Sequence, residues 1–316
     1  MRWIVACSWL VAAAGCGRVG FDARGTGDGS LPDGTIGDGG GPDVAFGNCW
    51  SAWTTGPLTL GSVRELSELN TLQDEGDPFL TDDGLTLYFV RGGVSGGDIY
   101  VATRPTRASL FGAPVLAADV NDALADDSKL SIGDGGLRAV IASKRATSAD
   151  YDLWELARTN IGDPFGPATN APFAALNTST AQFDPHLTAD GLRLYYAPGQ
   201  PGGQAASLAT RATVGDPFGL PQPIVGLVGN DTADPTLSPD ELVIVYSARK
   251  NTVDPLSMFY AVRSSPTASF TAAQPVPAIQ WGGYDGDAHL AGDGCELLFA
   301  STRTGGAKDL FLAVVQ

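Results

Sequence analysis

The feature that most constrains this 316-residue chain is internal repetition. Residues 77–104, DPFLTDDGLTLYFVRGGVSGGDIYVATR, have counterparts from Asp127 to Arg158, Asp184 to Arg211, Asp234 to Arg263 and Asp287 to Val314. The leading aspartates Asp77, Asp127, Asp184, Asp234 and Asp287 stand 50, 57, 50 and 53 residues apart, and a period of this size marks a solenoid, propeller or array. In the first copy Asp82-Asp83-Gly84 reads as a tight turn between antiparallel strands. After it Leu85, Leu87 and Phe89 alternate with Thr86, Tyr88 and Val90, the period of two of a strand packed more deeply on one face. Asp98 to Ala102 supplies a third strand. A Phe111-Gly112 turn leads into a fourth, with counterparts at Phe165, Phe218 and Phe270.

Each repeat is therefore a four-stranded antiparallel meander with two apolar faces, which is stable only when other sheets pack on both sides, about 10 Å away. Radial stacking satisfies this and leaves short, protected edges, so the expected fold is all-β, a five-bladed propeller. The fifth copy stops after its third strand, Asp309 to Val315. Leu58 to Leu66 precedes the first leading Asp as the other fourth strands precede theirs, so it is expected to complete the last blade and close the ring. Blade three has Pro198-Gly199-Gln200 in place of the Ser-x-Arg of other copies, and Glu241 replaces the turn Gly of blade four. Distorted rims are expected at both.

Residues 1–15 place one Arg before an apolar run too short to span a bilayer, a secretory signal. Ala13-Ala14-Gly15-Cys16 resembles the bacterial lipobox, which implies a lipid on Cys16. Residues 16–48 are Gly- and Asp-rich and bury too little to repay ordering. They read as a flexible tether with a reach of roughly 30 Å. Its regularly spaced aspartates fit no calcium-loop spacing, so no metal is assigned there. Residues 49–316 form the propeller domain.

The formal charge of −16, from 19 basic and 35 acidic residues, argues against nucleic acid as a partner. With Cys7 in the signal and Cys16 lipidated, Cys49 and Cys295 remain in an oxidising compartment. A bridge between them would staple the ring at its closure. The competing reading is a buried free thiol, because Cys295 fills the slot of Leu85, Leu137 and Leu192 in other copies.

DPHLTADGLRLYY, DPTLSPDELVIVY and SKRATSADYDLWELAR, at 184–196, 234–246 and 143–158, resemble the WD-repeat-like propeller repeats of bacterial envelope proteins, the TolB type. The resemblance runs from near Leu58 to the C-terminus. It implies the fold without choosing among scaffolds, interaction modules and enzymes.

Candidate ligand-binding residues are the leading aspartates, expected as a ring at one channel mouth, and the residues two places further on: Phe79, Lys129, His186, Thr236 and His289. Histidine is a metal ligand and general base, and a period of two would put His186 and His289 on the same strand face as the ring. Each has a plainer reading, carboxylates that accept backbone N–H bonds and packed imidazoles. The Arg of Ser-x-Arg, with Asp98, Asp152 and Asp309, reads as intra-blade pairing. No unique carboxylate trio, Gly-x-Ser-x-Gly elbow or zinc spacing occurs, so no catalytic residue or cofactor is assigned. The expectation is an exported outer-membrane lipoprotein facing periplasm or cell surface, membrane-bound through its lipid, acting as a non-catalytic scaffold for an envelope protein or glycan. The alternative is a carbohydrate-active hydrolase or lyase at the channel mouth.

Overall fold

The computed structural model describes residues 48–93, 96–145, 148, 150–251 and 253–316. The signal, Cys16 and nearly all of the tether lie outside them. Five antiparallel sheets follow one another. Blade one comprises Asp74–Leu80, Thr86–Gly93, Gly96–Thr103 and Val115–Leu116, and blade two Asp127–Gly133, Arg138–Ser143 and Asp152–Ala157. Blade three comprises Gln182–Leu187, Arg193–Gln200, Ser207–Thr210 and Gln222–Pro223. Blade four comprises Asp231–Leu237, Val243–Arg249, Ser257–Val262 and Gln274–Pro275. In blade five Asp285–Leu290, Glu296–Ser301 and Asp309–Val315 are joined by Leu60–Glu65.

The first strands of successive blades touch in cyclic order, the fifth returning to the first, which makes the five-bladed propeller. One apolar cluster fills each of the five blade interfaces, so every sheet buries both faces. Leu87 and Phe89 are wholly buried while Thr86, Tyr88 and Val90 are half-exposed, as the alternation required. The outer strands of blades one, three and four are two residues long, and two of them end at Pro223 and Pro275, which have no N–H to donate. Beside Pro167 the outer strand of blade two shrinks to one bridge, Glu155 to Thr169.

The chain's beginning closes the circle. Leu60 pairs with Val315, Val63 with Ala313 and Glu65 with Phe311, antiparallel with a bulge. Ahead of this strand, the short helix Trp50–Thr54, which no sequence pattern announced, seats the Trp53 indole on the Gly294 carbonyl at 2.9 Å. Cys49 and Cys295 are joined by a disulfide, Cα to Cα 5.0 Å.

The repeat motif Ser/Thr-x-Asp-Gly is a built turn. In blade one Thr81 donates to Asp83, which accepts the Leu85 N–H at 2.9 Å. Thr188 with Asp190, and Ser238 with Asp240, do the same. Gly84, Gly191 and Gly294 come next with φ of 72°, 70° and 73°. Glu241 adopts φ 60° in their place, so the turn expected to be distorted keeps its shape. Its carboxylate is held by Arg193, Arg263 and the Tyr195 hydroxyl. Blade three does change its rim, its second strand continuing to Gln200 and turning back through Gly203–Gln204.

Opening the Cys49–Cys295 bridge, by reductant or Cys49→Ser, should cost about 2–5 kcal/mol, since the closed loop is long. The urea midpoint with and without dithiothreitol measures this; an unchanged midpoint would leave closure to strand pairing alone.

Candidate functional site

The axis is lined by the five first strands. Each carries a one-residue bulge, and one residue at each bulge is left-handed: Asp77 (φ 51°), Lys129 (25°), Asp184 (55°), Asp234 (51°) and Asp287 (55°). These five side chains form the ring. Asp127, expected in it, lies two places earlier, fully buried, where it accepts the Asp122 N–H and pairs with Arg145. The ladder explains the correction: Asp127 faces Ser143 as Asp285 faces Ser301. The slot of the other leading aspartates therefore falls on Lys129. Ser131, not Lys129, matches Thr236, since each hydroxyl accepts a backbone N–H from the next blade, at 2.9 and 3.2 Å.

Each ring carboxylate reaches one blade onward. Asp184 Oδ2 accepts the Asp234 N–H (3.2 Å), Asp234 Oδ2 the Asp287 N–H (2.8 Å) and Asp287 Oδ2 the Asp77 N–H (3.4 Å). Asp77 Oδ2 accepts the Ser128 hydroxyl at 2.7 Å. Lys129 ends this chain of acceptors and supplies a cation, with Nζ 3.5 Å from Asp234 Oδ1 and 3.5 Å from the Ala288 carbonyl. Lys308 reaches Asp287 at 3.1 Å, where the Tyr284 hydroxyl also donates. One oxygen each of Asp77, Asp234 and Asp287 lie within 4.8 Å of one another, the spacing a metal would use. Two ammonium groups already serve these carboxylates.

Burial and then Asp287 push the Asp77 carboxyl up to about 6, against the opposing pull of Lys129 and Lys308. Burial and Asp234 raise Asp184 well above the usual range. For Asp287 burial acts upward but Lys308, Lys129 and the Tyr284 hydroxyl outweigh it, so its carboxyl is held low. Lys129 is kept charged because the aspartates, Asp234 foremost, overcome its own burial.

The histidines do not share a mouth with the carboxylates. Where the first strands begin, the N-side mouth holds a cavity of about 330 Å³ lined by Asp74, Asp77, Asp126, Ser128, Tyr151 and Lys308. Where they end, the C-side mouth holds a cavity of about 490 Å³ with Phe79, Tyr88, His186 and His289 in its wall. The bulge between ring residue and histidine breaks the period of two that would have kept them on one face. His289 is 6% exposed, bonds the Leu80 carbonyl through Nε2 at 3.1 Å and packs against Phe79. Burial, His186 and Lys129 bring its imidazole down to about 3, and burial with Lys129 brings His186 down to about 4. Both rings are neutral at physiological pH.

Two repeated clamps brace the blades, and the first was not foreseen from the sequence. Arg104, Arg158, Arg211 and Arg263 end the third strands, donate to the turn carbonyls of Gly84, Gly136, Gly191 and Glu241, and stack on Phe111, Phe165, Phe218 and Phe270. The signal was a constant Arg-to-Phe spacing of seven. The Arg of Ser-x-Arg pairs within its blade, as expected, though with the first-strand acid: Arg145 with Asp127 and Arg303 with Asp285. Blade three, which lacks this Arg, has Gln182 in the acid's place, bonded to the Thr178 hydroxyl at 3.0 Å. Asp152 and Asp309 accept from Ser148 and Thr304 instead.

No family model and no curated protein matches the chain. Solved structures do. The catalytic domain of a GH62 alpha-L-arabinofuranosidase from Coprinopsis cinerea superposes with TM-score 0.54 at 8% identity, over 82% of this chain and 96% of that one. A GH43_1 enzyme from Xanthomonas citri gives 0.50 at 15%, over 84% and 93%. TolB from Acinetobacter baumannii gives 0.48 at 13%, over 79% of this chain and 57% of that one. At such identities the first two likenesses establish the architecture, a five-bladed β-propeller, and nothing about chemistry.

Lys129→Met leaves the ring carboxylates without their central cation and should cost about 3–5 kcal/mol at neutral pH. The loss should shrink at pH 5, where the carboxyls take up protons; equal thermal melts of variant and wild type would refute the role. Asp77 contributes a separate pH effect. Its folded value near 6 exceeds the unfolded 3.8, so the folded state holds a proton the unfolded chain releases, and stability falls as pH rises from about 4 through 6. Asp77→Asn should remove that slope, so that its effect on stability relative to wild type is more favourable at pH 7 than at pH 4, by at most about 3 kcal/mol. The neutral histidines slope oppositely in both proteins and cancel in the difference between urea titrations.

Proposed function

We propose that this chain is a lipid-anchored propeller of the Gram-negative outer envelope, a non-catalytic scaffold that binds an envelope protein or a glycan. One observation carries the non-catalytic half: every ring carboxylate is already engaged by a backbone N–H or a hydroxyl from the next blade, and Asp287 also by the ammonium of Lys308 in its own blade. Glycoside hydrolysis needs two carboxyl groups facing one sugar, one free to donate a proton and one to attack or to activate water. Asp126, the other acid at depth in the N-side cavity, accepts from the Gly97 N–H and the Tyr151 hydroxyl. The anchoring half rests on the lipobox-like Ala13 to Cys16 and the Gly-rich tether behind it.

A second reading has its own support. Asp77, brought up to about 6 in a cavity shared with Asp126 and Tyr151, has the poise of a general acid. Turnover of p-nitrophenyl glycosides, α-L-arabinofuranoside included, separates the two. The scaffold reading expects none above buffer; turnover abolished by Asp77→Asn would establish a hydrolase. Radiolabelled palmitate should enter the wild-type protein in cells and be lost in Cys16→Ser, and labelling that survives would refute the anchor. A pull-down from detergent-solubilised envelope should retain the partner.

A further inference from the structure

No ring residue lines the C-side cavity, and of the clamps only the Arg158–Gly136 pair reaches its wall. All five first strands end in it, and its volume of about 490 Å³ falls within the range of small-molecule sites, ~300–1,000 Å³. Its wall combines flat apolar surface with polar groups that have nothing to bond. Phe79 and Tyr88 present aromatic rings, and Ile161 stands 65% exposed at the rim. Among the described residues, neither the His186 imidazole nor the Tyr88 hydroxyl has a hydrogen-bond partner.

The charges near the cavity are already spent or solvated. Arg158 donates to the Gly136 and Asp163 carbonyls and lies over Phe165. Asp83 is held by Thr81 and the Leu85 N–H, and Asp82 is an exposed rim residue on the same turn. No second acid opposes that turn across the cavity among the described residues, so the site is one for holding and not for cleaving. An anionic ligand would find no free cation in the wall among the described residues, and the one unpaired carboxylate there, Asp82, lies in solvent at the rim. A purely apolar one would bury the imidazole and the phenol unsatisfied, at about 1–3 kcal/mol for each group.

We propose that the C-side cavity seats one uncharged sugar residue, its C–H face against Phe79 and Tyr88 and its hydroxyls bonded to His186 and the Tyr88 hydroxyl. A neutral imidazole offers one donor and one acceptor, and a phenol can do both; a sugar hydroxyl needs that pairing. An aromatic ring offers a flat apolar face with two χ angles to fix, so it makes contact at low entropic cost. The inference rests on the non-catalytic reading above and names the glycan's seat.

The test titrates the full chain with methyl glycosides of glucose, galactose, N-acetylglucosamine and L-arabinose. Binding is read from the His186 ring nitrogens by long-range nitrogen correlation NMR, and by saturation transfer to the sugar. The expected result is a saturable His186 shift with at least one glycoside, weakened roughly three- to tenfold by Tyr88→Phe and by His186→Ala. The conservative Tyr88→Phe keeps the test valid should the alanine variant fold poorly, and unchanged affinity in Tyr151→Phe places the site at this mouth. Absence of any shift overturns the proposal, as does affinity untouched by both variants. Shifts produced only by glucuronate, glucosamine or indole also overturn it, replacing a neutral sugar by a charged or apolar ligand. If the sugar seat fails while envelope partners are still retained, the scaffold reading stands alone; a cleaved product would instead sink the non-catalytic reading.

Discussion

Everything in this molecule depends on residues at the axis that accept an unfavourable backbone in order to reach their neighbours. A non-glycine residue in the left-handed region costs roughly 1–2 kcal/mol, and the ring does this five times. The bulge it creates points each side chain sideways along the ring, so that one blade's carboxylate meets the next blade's N–H. A charge-assisted hydrogen bond returns about 1.5–3 kcal/mol, enough to offset the strain. The close approach also dictates composition beside it: a Cβ on Gly76 would come within 2.4 Å of Asp287 Oδ2. A fifth aspartate would have added one more negative charge to a buried cluster. Lys129 in that slot supplies the compensating one.

Away from the axis the work is apolar and local. Each interface has its own cluster, so the blades cohere as neighbouring pairs, and the Arg–Phe stacks tie the third strand to the turn that leads outward. Glu241 shows how one departure is absorbed. It gives up glycine's freedom at φ 60° but gathers Arg193, Arg263 and Tyr195 from two blades around one carboxylate. The last interface needs the chain's two ends to meet, and the pairing of Leu60 with Val315, the seat of Trp53 and the Cys49–Cys295 bridge all act there.

Much of this was legible. The period, the Ser/Thr-x-Asp-Gly turn, the Phe-led outer strand and the closing role of Leu58 to Leu66 come from patterns that local physics enforces in every copy. The site was harder to read. Asp127 carries the right letter in the wrong register, because blade two begins with two adjacent aspartates and the ladder alone shows which slot each fills. The bulge at every ring residue shifts the remainder of its strand by one position, so counting by two placed His186 and His289 with the carboxylates when they face the other mouth. The helix Trp50–Thr54 is too short to show a helical period, and its reason for being is tertiary: Trp53 packs edge-on against Tyr260.

Amide hydrogen exchange reads the ring directly. If the carboxylate-to-amide links hold the blades together, the N–H groups of Asp234 and Asp287 should exchange only through global unfolding, with the same opening free energy as the buried strand amides of Ile244 and Leu298. Exchange at those two positions orders of magnitude faster, while Ile244 and Leu298 remain protected, would mean that the ring opens without the fold and that the blades are held together elsewhere.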